Sequence, residues 1–174
     1  MTVDTQAYTL EALASDIRAA LKADPSLEGK QKVASLVSRA LLDEAFVREH
    51  LKDRGPGEHP REVLYEDDDM GFCICGHVYD GEAIGEPHDH GSSWAIYGQA
   101  EGQTEMTDWK IVERGTGDKP HLVEAVRTYA MNPGDAKVYD VGDVHSPNRA
   151  KPVKLIRIEG ANLDHVQRSN IAKK

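Results

Sequence analysis

Apolar positions recur at helical spacing through the first third of the chain and at strand spacing through the rest. Between Thr9 and Ala23, residues Leu10, Leu13, Ile17, Ala20 and Leu21 share one face of a 3.6-residue helix. Thr9 supplies an N-cap, because its hydroxyl accepts from an unpaired first-turn N–H, and Pro25 lies just past the end. The period restarts after Ser26 with Val33, Leu36, Val37, Ala40 and Leu41, then with Ala45, Phe46, Val47 and Leu51. This predicts two further helices over 30–41 and 43–53, with Asp43 as a cap. The run Arg54-Gly-Pro-Gly-Glu-His-Pro60 is a cluster of breakers and a natural boundary.

Beyond that boundary the apolar runs are short, and Gly, Pro and Asp separate them at close intervals. Strands are predicted over 61–65, 71–79, 93–97, 105–113, 123–130, 136–139 and 153–159. Many short strands with turn signals imply a sandwich or barrel. The expected organisation is a helical N-terminal segment over 1–57 and an all-β domain over 58–174.

Composition narrows the function classes. The chain has 174 residues, 39% of them apolar and 29% charged, enough for one domain with a true core. A formal charge of −9 argues against nucleic acid as a partner, because nucleic-acid binders carry a basic patch. No apolar run reaches the roughly 18 residues that a membrane helix needs. The start, Met1-Thr-Val-Asp-Thr5, has neither a basic nor an apolar targeting region, so the expected compartment is the cytoplasm. Cys73 and Cys75 point the same way on a strand, are poorly placed to bridge each other, and read as small buried hydrophobes.

Histidine is the unusual residue, with eight in the chain. In Pro87-His88-Asp89-His90-Gly91 an extended backbone puts His88 and His90 on one face and Asp89 on the other. Two imidazoles on one face make a ready chelate, although buried structural histidines would fit the same pattern. A second segment, Asn132-Pro-Gly-Asp-Ala-Lys-Val-Tyr-Asp-Val-Gly-Asp-Val-His145, places a turn, a short strand and another turn before His145.

Together these segments resemble the two signature motifs of the cupin superfamily. Gly134, Gly142 and His145 match the second motif at its spacing; Asp140 replaces its proline and Asn148 comes one residue early. His88 and His90 match the first motif, with Gly102 at its closing glycine. The resemblance covers about residues 61–165 and implies an all-β cupin fold (a double-stranded β-helix, or jelly-roll barrel) behind the α-helical segment. The first motif's usual glutamate position falls on Trp94 and Ala95, so the implied metal ligands are His88, His90 and His145 with no carboxylate. Imidazole donors suit Fe, Ni, Cu and Zn. Three neutral ligands leave the ion's charge uncompensated and favour an anionic ligand such as a thiolate.

A three-histidine cupin site is similar to that of the thiol dioxygenases, of which cysteine dioxygenase is best known. That likeness implies Fe(II), with Ni, Zn or Cu fitting the same donors, and oxidation of a small anionic thiol by dioxygen at sulfur. The expected partners are a small-molecule substrate and O₂, with the charge and hydropathy pattern giving no nucleic-acid or membrane partner, and the chain is expected as a monomer or homodimer. Ala95 stands where that family carries a crosslinking Cys or a Gly, so no such crosslink forms. The strand 154–159 lacks the family's Ser-x-His-x-Tyr run, and the family's early carboxylate-binding arginine has no clear counterpart. These departures keep two alternatives open: another cupin enzyme (ring-cleaving dioxygenase, isomerase or hydrolase) and a non-catalytic cupin that binds a small ligand.

Other residues have two readings each. Arg157 is either an anchor for a substrate anion or half of an Arg–Glu pair on the outer surface. Tyr97 and Tyr139 either line the pocket, giving a phenol hydrogen bond to bound oxygen, or fill the core. Trp94 is expected to shape the cavity, Ser92 and Ser93 to orient an imidazole or serve a turn, and Asp143 and Asn148 to fix the His145 tautomer or serve a turn. His50, His59, His77, His121 and His165 read as structural or surface residues, and Glu66-Asp-Asp-Asp69 as a solvated turn.

Overall fold

The computed structural model describes residues 8–174. The pentapeptide weighed above for targeting lies outside the described residues. Three helices come first: α1 (Leu10–Ala23), α2 (Leu27–Leu41) and α3 (Glu44–His50). The Thr9 hydroxyl accepts from Ala12 N, and Asp43 accepts from Ala45 N and Phe46 N, so both expected caps form. Ser26 is a further cap, accepting from Glu28 N, and it starts α2 at Leu27 rather than at 30. No helix among the described residues is long and apolar enough to cross a membrane.

Ten strands follow: β1 (Arg61–Glu66), β2 (Cys73–Tyr79), β3 (Ala83–Ile84), β4 (Ala95–Glu101), β5 (Thr104–Glu113), β6 (His121–Met131), β7 (Ala136–Tyr139), β8 (Val144–Arg149), β9 (Val153–Glu159) and β10 (Ile171–Lys173). They form two five-stranded sheets, ordered β1-β2-β9-β4-β7 and β10-β6-β5-β8-β3. Apart from the edge strands β1 and β10, the remaining orders 2-9-4-7 and 3-8-5-6 are those of a jelly roll, in which the chain passes repeatedly between two facing sheets. Three of these strands go beyond the hydrophobic pattern. β3 is two residues long, β10 pairs in parallel at an edge, and β8 contains Pro147, a residue that demotes a run as a strand.

The helices cover the outer face of the first sheet. On β9, Ile156 and Ile158 point outward into a cluster with Leu13, Ile17, Val37 and Phe46. Each such side chain contributes about 1.5–3 kcal/mol on burial. Leu155, on the other face, belongs to the barrel interior with Ala95, Tyr97, Met106 and Tyr139. Both cysteines are free and buried, as expected. The acidic turn is not wholly solvated. Asp67 is buried, accepting from Arg18 Nε at 2.8 Å and from Met70 N, and so ties α1 to the β1–β2 connection.

The helical layer sits close because β4 offers a glycine to it. A Cβ on Gly98 would lie 2.5 Å from Val37 Cγ1 and 2.7 Å from Leu41 Cδ1. Gly98→Val is therefore expected to force α2 off the sheet and to destabilise the chain by about 1–3 kcal/mol. Urea denaturation checks this; an unchanged midpoint would show that the layer has slack.

Candidate metal centre

His88 precedes β4 in an extended segment that pairs with β8. His88 N donates to His145 O and His145 N donates to His88 O, both at 3.0 Å. That bridge brings the two distant segments into register. His90 follows on the same side, and one ligand atom from each of His88, His90 and His145 lies within 4.8 Å of the others. The turn after His90 needs glycine: Gly91 has φ +59°, and a Cβ there would lie 2.2 Å from Gln167 O. Asp89, on the opposite side, accepts from Gly91 N, Ser169 N and the Ser169 hydroxyl. It thereby straps the C-terminal segment beside the histidines.

Hydrogen bonding prepares the imidazoles as donors. His88 Nδ1 lies 2.9 Å from Glu86 O, and His145 Nδ1 lies 3.4 Å from Asp143 O. A carbonyl only accepts, so each Nδ1 carries the proton and each Nε2 keeps its lone pair. Burial pushes His88 down to about 4 and His90 to about 3, with the neighbouring His88 charge adding to the latter. Burial also holds His145 well below the ordinary histidine value. All three rings are therefore neutral near pH 7. His90 Nδ1 is buried without a partner. Three convergent neutral nitrogens fit an imidazole-preferring divalent metal.

Tyr97 reaches the middle of the cluster. Its hydroxyl is 3.2 Å from His90 Nε2 and 3.3 Å from His145 Nε2, and it accepts from Arg157 Nη1 at 3.4 Å. Arg157 points inward and is buried, so the alternative of an outer-surface pair is overturned. It does pair with glutamate, but inside the barrel. Arg157 Nε donates to Glu159 Oε1 at 2.8 Å, and Arg61 Nη2 donates to Glu159 Oε2 at 2.8 Å.

Several expectations need correction. Tyr139 stacks its ring on His145, with centroids 3.9 Å apart, but its hydroxyl meets Tyr129 at 2.6 Å and does not face the cluster. Tyr129 in turn donates to Asp108, which draws that phenol away. Trp94 packs on the helical side near Lys30, because it lies outside the sheet face that carries Ala95 and Tyr97. Ser93 bonds Ala161 N and Trp94 O rather than an imidazole. Asp143 serves His145 through its backbone carbonyl, while its carboxylate accepts from Asp140 N in the turn. Asn148 is exposed, one step out of phase with His145. His77 is buried inside, with an unpartnered Nε2.

A cavity of about 370 Å³ opens beside the cluster, walled by His88, Tyr97, Arg149, Arg157, Arg168 and Pro147 among others. Arg149 and Arg168 were not singled out from the sequence. Arg149 carries a signal, since it shares strand parity with His145, but only once 144–149 is known to be a strand. Arg168 carries none, as it arrives through the strap.

The two histidine segments occupy the places that the cupin motifs assign them, one before β4 and one on β8. Gly134 and Gly142 turn with φ of +94° and +85°. The fold is a cupin barrel. No family model matches the chain, and no curated protein matches it. Among solved structures, it is similar to an uncharacterized conserved protein with a double-stranded β-helix domain from Klebsiella pneumoniae, at 14% identity over 71% of this chain and 93% of that one, with a TM-score of 0.48. It is also similar to a cupin superfamily protein from Desulfitobacterium hafniense, at 11% identity over 64% and 84% with a TM-score of 0.45. A third is KdgF from Halomonas sp., at 19% identity over 62% and 84% with a TM-score of 0.43.

Proposed function

We propose that this cupin is a metal-dependent dioxygenase of the thiol dioxygenase type, acting on a small anionic thiol. The observation that carries it is a carboxylate-free cluster of three neutral imidazoles, one of which, His88, lines a cavity together with Arg149, Arg157 and Arg168. His88, His90 and His145 would hold the metal, with Fe(II) the expected ion. When bound, the ion supplies the acidity that ionises a thiol and the redox chemistry that activates dioxygen.

The chain's own residues do the rest. The backbone carbonyls of Glu86 and Asp143 hold two imidazoles in the donor tautomer. The Tyr97 phenol has one proton to offer, and Arg157 fixes its oxygen by donating to it. That leaves the proton directed toward the histidine side, where a reacting oxygen would be met. Tyr97 and Arg157 are themselves buried, and the low-dielectric surroundings strengthen the contact between them.

The balanced reaction is RSH + O₂ → RSO₂H, with both oxygen atoms entering at sulfur. Protein loaded anaerobically with Fe(II) is expected to consume oxygen only when a small anionic thiol is present. In ¹⁸O₂ the sulfinate product should carry two labelled atoms by mass spectrometry. Turnover without oxygen, or products with no label at sulfur, would favour another cupin chemistry.

A further inference from the structure

The cavity beside the histidines holds more positive charge than its surroundings neutralise. Arg157 is matched by Glu159, and Arg61, which shares Glu159, is also matched by Asp164. At the rim, Glu86 is taken by Lys173 at 2.9 Å. Arg149 and Arg168 pair with no acid among the described residues.

Arg149 is the more telling of the two. It projects inward from β8, is 5% exposed, and has its Nε buried with no hydrogen-bond partner. Its guanidinium lies over the Tyr79 ring, 4.5 Å from the centroid, which orients it without neutralising it. A buried guanidinium lacking a counter-charge is costly to the fold, and a site that accepts that cost points to an anion arriving from outside. Arg168 stands at the mouth of the same cavity, exposed, and is brought there by the bonds between Asp89 and Ser169 next to it. One bare cation therefore lies deep and one lies at the entrance.

We propose that this cavity takes a small dicarboxylate, with Arg149 holding the inner carboxylate and Arg168 the outer one. The planar guanidinium fork matches a carboxylate in both places. A volume of about 370 Å³, near the small end of ligand pockets, has room for a short-chain dicarboxylate. Placed on the thiol dioxygenase reading above, on which this step rests, the substrate is a small thiol carrying two carboxylates. Arg149 then fills the role that Arg157, tied up by Glu159, does not.

Calorimetry on the full chain, metal-free and zinc-loaded, tests this with succinate against butyrate as probes. Succinate is expected to bind at least about tenfold more tightly than butyrate. Arg149→Gln should weaken both by about tenfold or more. Arg168→Gln should bring succinate down to the level of butyrate and leave butyrate within about twofold. Arg149→Lys, which keeps the charge and loses the fork, serves if the glutamine variant fails to fold, and it should show an intermediate loss. Equal affinity for the two probes, or a succinate preference that survives Arg168→Gln, overturns the proposal. Binding is read without turnover. Absent oxygen uptake with intact succinate binding would therefore sink the dioxygenase reading alone. Uptake with monocarboxylate thiols and no succinate preference would sink the dicarboxylate site alone.

Discussion

Alanine at His88 or at His145 is expected to abolish stoichiometric metal binding, and with it all metal-dependent turnover. A site of three protein ligands has none to spare. The two nitrogens left after either substitution form a weak chelate, so an affinity loss of more than about a hundredfold is expected, beyond what losing an orienting partner of a ligand costs. The two variants differ in their structural risk. His145 is fully buried and stacked by Tyr139, so its loss also leaves a cavity, whereas His88 is only partly buried. His88→Ala should therefore keep its fold, which circular dichroism checks, while elemental analysis after dialysis counts the ions. His59→Ala and His165→Ala, both at exposed positions, should retain the metal. One tightly bound ion per chain in either ligand variant would refute the assignment. Added metal should also raise the thermal midpoint of the unmodified chain and leave that of His88→Ala unmoved.

The histidine pair was legible because parity on an extended segment is a strict rule, and His88 and His90 obey it. The helices were legible because their apolar stripes and caps agree, down to Thr9 and Asp43. Arg157 stood out in the sequence but the side it faces was not legible, and the reason lies in how β9 is covered. Helices bury its outer face through Ile156 and Ile158, while the barrel buries its inner face, so six of its seven residues are buried. Alternation of apolar and polar residues then shows that there are two faces, but not which of them is inside. The same double cover hides His77 on β2. Arg149 escaped for a different reason, since Pro147 disguised the strand that aims it. The polar interior is thus carried by strands whose patterning is ambiguous or interrupted, while the histidines sit on a segment whose spacing is plain.

The interior charge that parity could not place should dominate the stability of the barrel. Glu159→Gln is expected to cost about 3–5 kcal/mol, the usual penalty for removing one partner of a buried ion pair. Glu159 is 0% exposed and holds two guanidiniums, Arg61 and Arg157, while also accepting from Leu163 N at 3.0 Å. Burial alone would raise its pKa; the Arg61 bond and the Arg157 charge overcome burial and hold the carboxyl down to about 2, below its ordinary 4.5. A carboxylate whose pKa falls on folding stabilises the folded chain at pH values above its unfolded pKa. That contribution is lost as the pH drops from about 4.5 toward about 2. The shift corresponds to roughly 3 kcal/mol, similar in size to the mutational cost. Urea denaturation at pH 7 should show the loss in Glu159→Gln directly. Below pH 4.5, the gap between the two proteins should narrow, because Glu159 takes up a proton in the unfolded chain while the folded carboxylate stays ionised until about pH 2, which stabilises the unfolded state of the unmodified chain alone. A variant within about 1 kcal/mol of the unmodified chain at pH 7 would mean that the two arginines find other partners. The same substitution frees Arg157 from its clamp, so Tyr97 loses the donor that fixes its oxygen. Metal content should then survive while turnover falls, a split that separates a positioning residue from a ligand.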